Sequence, residues 1–411
     1  MTEPAGLASE KYRFLSPWRY PSFRLLFISS LGTYIGRWME TVVGAWLVLE
    51  LTDSPFLVGL LGACRFAAML LGPFCGAIAD RFDRRRILIV VQVVYAAGAL
   101  IIMMLFITSQ LEVWHLFMFT IVGGLCYTFD FSTRFAAAAD IVKNQHLVAA
   151  VSLLFVSQGS TTILGPLLGG SLLETIKASG CFALIAGSFL LSFLVLLPLK
   201  IAAPSRPTVR ESIWKNLVDG FNYIKKDRSL SALLLIAAMV NLFVFPYWFT
   251  LIPIFARDIL QTGASGYGQL MAAIGLGFAA GPLITALLPY SANRGRLLIV
   301  VTIAWPAILI IFATSSLFSL SMVLLILAGT AQGMSMALIQ SLLLLKSSEE
   351  MRGRVSGARA FAIGALPLGS LLTGAGASAW GAPTILIINS TVAILIIAVI
   401  TIWASELVRR K

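Results

Sequence analysis

The chain has 411 residues, of which 59% are hydrophobic and only 12% charged, and its mean hydropathy is +0.93. A water-soluble domain needs far more polar surface than this, so the length divides into apolar helices of about 20–25 residues rather than into soluble domains. The formal net charge of +12 is scattered over many short loops instead of being gathered on one face, which excludes a nucleic-acid-binding surface and reads as a topology signal.

In chain order, a mixed N-terminal stretch with Lys11, Arg13, Arg19 and Arg24 leads into an apolar run too long for a signal-peptide core, and is expected to stay as a membrane helix. Spans are expected near 23–51, 55–79, 87–108, 113–136, 147–172 and 181–197, then near 230–255, 266–288, 297–314, 317–345, 355–377 and 383–403. The polar interval between the sixth and seventh divides the chain into a bundle at 1–199, a linker at 200–228 and a second bundle at 229–411. Most of the 30 Lys and Arg fall in loops on one side, while Lys177 and Arg257 fall on the other. Short loops rich in Lys and Arg stay cytoplasmic, so both termini are expected in the cytoplasm and the protein in a cytoplasmic (inner) membrane.

The first span carries Tyr34, Arg37, Trp38 and Glu40, and the second carries Arg65. Charges at membrane depth are costly and mark functional sites. Arg37 and Glu40, three apart, share a helix face and can pair, and Arg65 can share Glu40. A carboxylate whose burial or neighbouring cation changes must change its proton occupancy, which makes Glu40, with Arg37 and Arg65, the first candidate for proton coupling. The alternative is a static network that orders the first half. In the fourth span Tyr127 and Phe131 accompany Asp130 and Arg134, which are four apart and toward the cytoplasmic end; a gate is favoured, with Asp130 as a second possible proton carrier.

Cys64, Cys75, Cys126 and Cys181 all fall in spans without a CxxC, and the two histidines, His115 and His146, fall on opposite sides. No zinc site, other metal site or cofactor is expected, nor a catalytic set, and the absence of any Gly-Lys dipeptide removes a phosphate-binding loop. In the linker, Ile213, Leu217, Phe221 and Ile224 form one apolar helical stripe. The expected place for such a helix is the cytoplasmic membrane surface, held by apolar burial and anionic lipid. The seventh span adds Asn241 and an aromatic run that includes Phe245 and Trp248, and the tenth adds Gln332 and Met336. With Tyr34, Trp38, Tyr127 and Phe131 these are the candidates for a solute cavity, since amphipathic solutes need aromatic walls with a few polar groups. The halves echo each other: Gly59, Gly72 and Pro73 align with Gly268, Gly281 and Pro282, and Val151, Ser152, Gly165 and Gly170 with Val355, Ser356, Gly369 and Gly374.

The stretch Gly76-Ala77-Ile78-Ala79-Asp80-Arg81-Phe82-Asp83-Arg84-Arg85-Arg86 resembles the loop signature of the major facilitator superfamily, departing from it at Asp83, where Gly is usual and a slightly altered turn is expected. Gly165-Pro166-Leu167-Leu168-Gly169-Gly170 resembles the helix 5 motif of its antiporting exporters. Across its whole length the chain is similar to the twelve-helix drug and siderophore exporters, the enterobactin exporter group among them. The resemblance implies an all-α membrane protein of twelve transmembrane helices in two pseudo-symmetric six-helix bundles, with helices 1, 4, 7 and 10 lining a central cavity. It also nominates Gly76, Asp80, Arg81, Arg84, Asp130 and Arg134 as loop motif and cytoplasmic gate. The function expected is proton-coupled efflux of a small amphipathic solute by alternating access, by a monomer whose partners are the solute, protons and membrane lipid. The alternatives are uptake or facilitated transport of a small metabolite or lipid, and a non-transporting receptor or scaffold.

Overall fold

The computed structural model describes residues 16–72, 75, 82–201, 213–288 and 293–407. Among them the chain forms helices and short connections with no strand, as a backbone surrounded by hydrocarbon must when its amides can bond only within their own segment. Among the described residues nine helices are long and apolar enough to cross a membrane by length and composition. One of these, Asn144–Leu196, is two traverses joined at Lys177, where φ is 58°. Two more are supplied by Pro21–Thr52, diluted by the polar residues of its middle, and by the short Pro55–Leu71. The twelve traverses are α1 (Pro21–Thr52), α2 (Pro55–Ala67 and the tighter turn Ala68–Leu71), α3 (Arg84–Ile107), α4 (Val113–Ile141), α5 (144–176) and α6 (178–196). The second six are α7 (Arg228–Ile259), α8 (Gly263–Leu287), α9 (Arg294–Ala313), α10 (Phe318–Lys346), α11 (Glu349–Trp380) and α12 (Ala382–Trp403).

Local chemistry sets the helix ends. Pro occupies the first turn of α1 and of α2, where its missing N–H costs nothing. Asp83 caps α3, accepting from the amides of Arg85 and Arg86, with φ at −60°. The Asp that departs from the superfamily pattern therefore does the work of an N-cap and needs no left-handed backbone. Pro246 and Pro253 interrupt α7, which widens into π-type turns at Val240–Val244, Tyr247–Leu251 and Phe255–Ile259.

Side-chain contacts fix the directions. Ser30 meets Ser157 and Gly169 packs on Met39, so α5 runs alongside α1 in the same sense; Ser192 bonds the Ser29 carbonyl while Ser188 crowds Gly36, so α6 runs back. The start of α1 and the end of α6 accordingly lie at one face, called here the terminal face. The outside of the bundle is apolar and exposed, with Val90, Ile101, Leu283, Val399 and Ile402 each more than half accessible. That belt is the surface that hydrocarbon covers.

The linker helix, Ile213–Lys225, packs on protein. Phe221 makes an edge contact with Phe361, Ile224 is buried, Asp219 pairs with Arg354 at 3.2 Å, and Gly220 lies against the Arg354 backbone. The part of the apolar stripe formed by Phe221 and Ile224 is thus spent on the entrance of α11, where a membrane-surface position was expected. An amphipathic pattern states that one face is buried and is silent about what buries it.

Candidate solute and ion-coupling site

Glu40 and Arg65 form a fork in the interior of the first half, with Arg65 Nη1 donating to Oε2 at 2.7 Å and Nη2 to Oε1 at 2.9 Å. Both side chains are less than a tenth exposed, and the Thr120 hydroxyl of α4 donates to the same carboxylate at 3.4 Å. Arg37 turns away from its expected partner Glu40. It donates to the Tyr95 hydroxyl at 2.7 Å and the Gly123 carbonyl at 3.3 Å, and its guanidinium lies 4.0 Å from the Tyr127 ring centre, a cation–π distance.

Asp130 and Arg134 form a second fork, at 2.9 and 2.6 Å, essentially without solvent exposure. The remaining donors of Arg134 go to the Leu26 carbonyl, the Ser29 hydroxyl and the Thr33 hydroxyl of α1, and Gln92 of α3 donates to Asp130. Asp130 lies about 16 Å along α4 from its end at Ile141, deeper than an end-of-helix gate. The superfamily pattern joins Arg84 to this pair, but Arg84 bonds Asp140 and the Ala136 carbonyl instead. Asp140 sits at the end of α4, level with the start of α3, and only the helix packing reveals it as the partner. Gly76, Asp80 and Arg81 lie outside the described residues.

The halves meet along two seams on the side away from the terminal face. A Cβ built on Gly170 of α5 would sit 2.8 Å from the Gly268 Cα of α8, and one built on Gly59 of α2 would sit 2.8 Å from the Gly374 Cα of α11. These are the residues aligned by the internal repeat, so the pseudo-symmetry of the sequence is realised as two equivalent backbone contacts. The helix 5 motif divides its work: Gly165 and Gly169 let α1 approach at Trp38 and Met39, and the Pro166 carbonyl and Gly170 receive α8. Above the seams, Arg257 of α7 bonds Asp53 at 2.7 Å and the Leu49 carbonyl at 2.9 Å, and Glu174 accepts from the Ser265 amide at 2.8 Å. Aromatic rings fill the space between: Trp38 stacks on Trp248 at 5.8 Å and near Phe249 at 6.1 Å, Phe245 lies against both, and Trp46 stacks on Tyr267.

Toward the terminal face the same helix faces are open. On α5, Thr162 is buried against Gly275, yet Phe155 on the same inward side is 53% exposed and no described atom of another helix lies within 4 Å of a Gly159 Cβ. Tyr127, Phe131, Phe135 and Phe155 form a ladder of rings 5.8, 4.8 and 4.9 Å apart along this opening. Tyr34 packs behind it between Tyr127 and the Arg134 guanidinium. Gln332 is fully buried and accepts from the Tyr247 hydroxyl at 3.3 Å, and Asn241 spends its amide on the Ala237 carbonyl of its own helix. Met336 reaches Arg359 of α11, whose guanidinium also bonds Gln340. The result is a cleft between the halves, closed on the far side. Sequence reasoning missed Tyr95, Asp140 and Phe155; Arg359 was visible only as a charge near a helix entrance.

The sequence profile of the transmembrane secretion effector family matches residues 13–410. The enterobactin exporter EntS of Shigella boydii is 26% identical over 364 residues, covering 86% of this chain and 85% of that protein, and the EntS of Escherichia coli gives the same figures. Among solved structures, a bacterial homologue of the human lysosomal transporter Spinster, inward-facing and unoccupied, superposes with a TM-score of 0.74 at 14% identity, covering 94% of this chain and 97% of the other. The nucleoside transporter NupG superposes with a TM-score of 0.71 at 13% identity, covering 95% and 100%. These two share the fold.

Proposed function

The chain belongs to the transmembrane secretion effector family, membrane transporters of the major facilitator type, and from that premise we propose that it exports a small amphipathic solute across a bacterial inner membrane, driven by inward proton movement, with both termini cytoplasmic. The observation that carries this reading is the buried fork between Glu40 and Arg65. Protonation of Glu40 removes one charge of the pair and leaves Arg65 uncompensated in a dry interior, a state that costs several kcal/mol, on the order of 3 or more. Arg65 must then find new partners, and it sits on the helix whose Gly59 forms one of the two seams. Proton occupancy is in this way linked to the packing of α2 against α11, a two-state element that both proton and solute can bias. Export is favoured over uptake by the named function of the EntS relatives and by the helix 5 motif, and the ladder of rings supplies apolar walls for the solute.

The test is transport in inside-out vesicles, with lipophilic cations, antibiotics and siderophores offered while a pH gradient is imposed and then collapsed. Accumulation should follow the gradient, and Glu40→Gln should abolish gradient-driven accumulation while retaining solute binding. Gradient-driven accumulation by Glu40→Gln at the parent level would remove the coupling assignment.

A further inference from the structure

We propose that the cleft selects a negatively charged aromatic solute, gripped between Arg37 of the first half and Arg359 of the second; this rests on the reading of the cleft as the solute site.

The spans carry few charged side chains. Arg65 neutralises Glu40, and Arg134 neutralises Asp130. Arg37 and Arg359 remain, and among the described residues neither has a carboxylate within ion-pair distance. Arg37 is held by a hydroxyl, a carbonyl and an aromatic face, and Arg359 by the Gln340 amide oxygen and, at 3.9 Å, the Met336 sulfur. Among the described residues each half thus contributes one guanidinium without a carboxylate partner, Arg37 in the middle of α1 and Arg359 near the entrance of α11, and both are half-buried. Arg359 does not reach toward lipid: helical spacing puts it opposite Phe361, Leu368 and Leu372, the exposed outer face of α11. An unpaired cation in a low-dielectric site is costly and is relieved by an anion. A cationic solute would add a third like charge to the same space.

A second, independent observation has the same sign. Two buried nitrogen donors on the cleft helices α7 and α10, Trp248 Nε1 and Gln332 Nε2, have no acceptor among the described residues. A buried donor without an acceptor costs free energy, and an acceptor oxygen would relieve both. A guanidinium offers a fork of donors that fits a carboxylate, a sulfonate or a phenolate pair, and the rings of Tyr127, Phe131 and Trp38 offer walls for a planar body.

The experiment uses the full chain in lipid nanodiscs and two dyes with the same xanthene skeleton, anionic fluorescein and cationic rhodamine 6G, with binding read by fluorescence anisotropy. The parent should bind fluorescein at least about tenfold more tightly, the scale of one charge-assisted hydrogen-bonded contact. Arg359→Gln and Arg37→Gln should each erase most of that preference, Arg359→Lys should keep part of it, and Arg359→Glu should turn it toward rhodamine 6G, a gain that misfolding does not produce. Arg352→Gln, which removes an exposed cation two helical turns away, should leave the ratio unchanged. Equal or tighter binding of rhodamine 6G by the parent overturns the inference, as does a ratio that Arg359→Gln and Arg359→Glu leave where it was. Because the readout is equilibrium binding, absence of gradient-driven export with the anion preference intact counts against the proton-coupled export reading alone.

Discussion

Arg134 shows what a buried cation requires. Its donors reach both Asp130 oxygens, the Leu26 carbonyl and two hydroxyls of α1, so the charge is matched and the fork ties α1 to α4. Removing one partner strands the other: Asp130→Ala should destabilise the protein by about 3–5 kcal/mol, seen as a large drop in the thermal unfolding temperature in detergent. A drop no larger than that of an exposed control such as Glu349→Ala would contradict the structural weight given to this pair. At this scale the sequence was informative about depth and left the partners open. It placed Arg37, Glu40 and Arg65 within spans, with helical spacing suggesting Arg37 as the mate of Glu40 and Arg65 able to share it. The mate is Arg65, because a carboxylate on a packed helix is met by whichever neighbouring helix presents a fork, and Arg37 is already engaged by Tyr95 and the Tyr127 ring.

Among the elements, α5 carries the most specific sequence signal and the most specific packing. Gly170 has no room for a side chain against Gly268, so Gly170→Leu must push α8 away on the far side while leaving the terminal-face opening untouched. We expect Thr262→Cys, placed at the start of α8, to react faster with a membrane-impermeant thiol reagent added from the far side when Gly170→Leu is present. Labelling at the parent rate would show that the seam does not control access. The linker helix gives the opposite lesson. Its stripe was legible, its burial was not, because Phe361 and Arg354, which receive it, lie more than a hundred residues further along the chain.

For the whole molecule, the contacts on the far side act as a set. The Arg257–Asp53 pair and the Glu174 carboxylate on the Ser265 amide both join the two halves, and in an alternating-access cycle both must part when the far side opens. Asp53 is 84% exposed in its side chain, so the pair contributes within about 1 kcal/mol, enough for a population shift of a few fold. The double variant Asp53→Asn, Glu174→Gln should enlarge the far-side-open population, measured as a longer distance component between spin labels at positions 52 and 261; an unchanged distribution would rule out a latch. What the sequence determined by itself is the membrane fold and its repeat, because hydrocarbon imposes helix length and apolar composition on every span separately, and close helix approach imposes Gly. What only the tertiary structure decided is which charges are matched, which aromatics face the cleft and which side is closed. Those depend on the rotation and level of each helix against neighbours distant in the chain, and a hydropathy pattern carries no record of either.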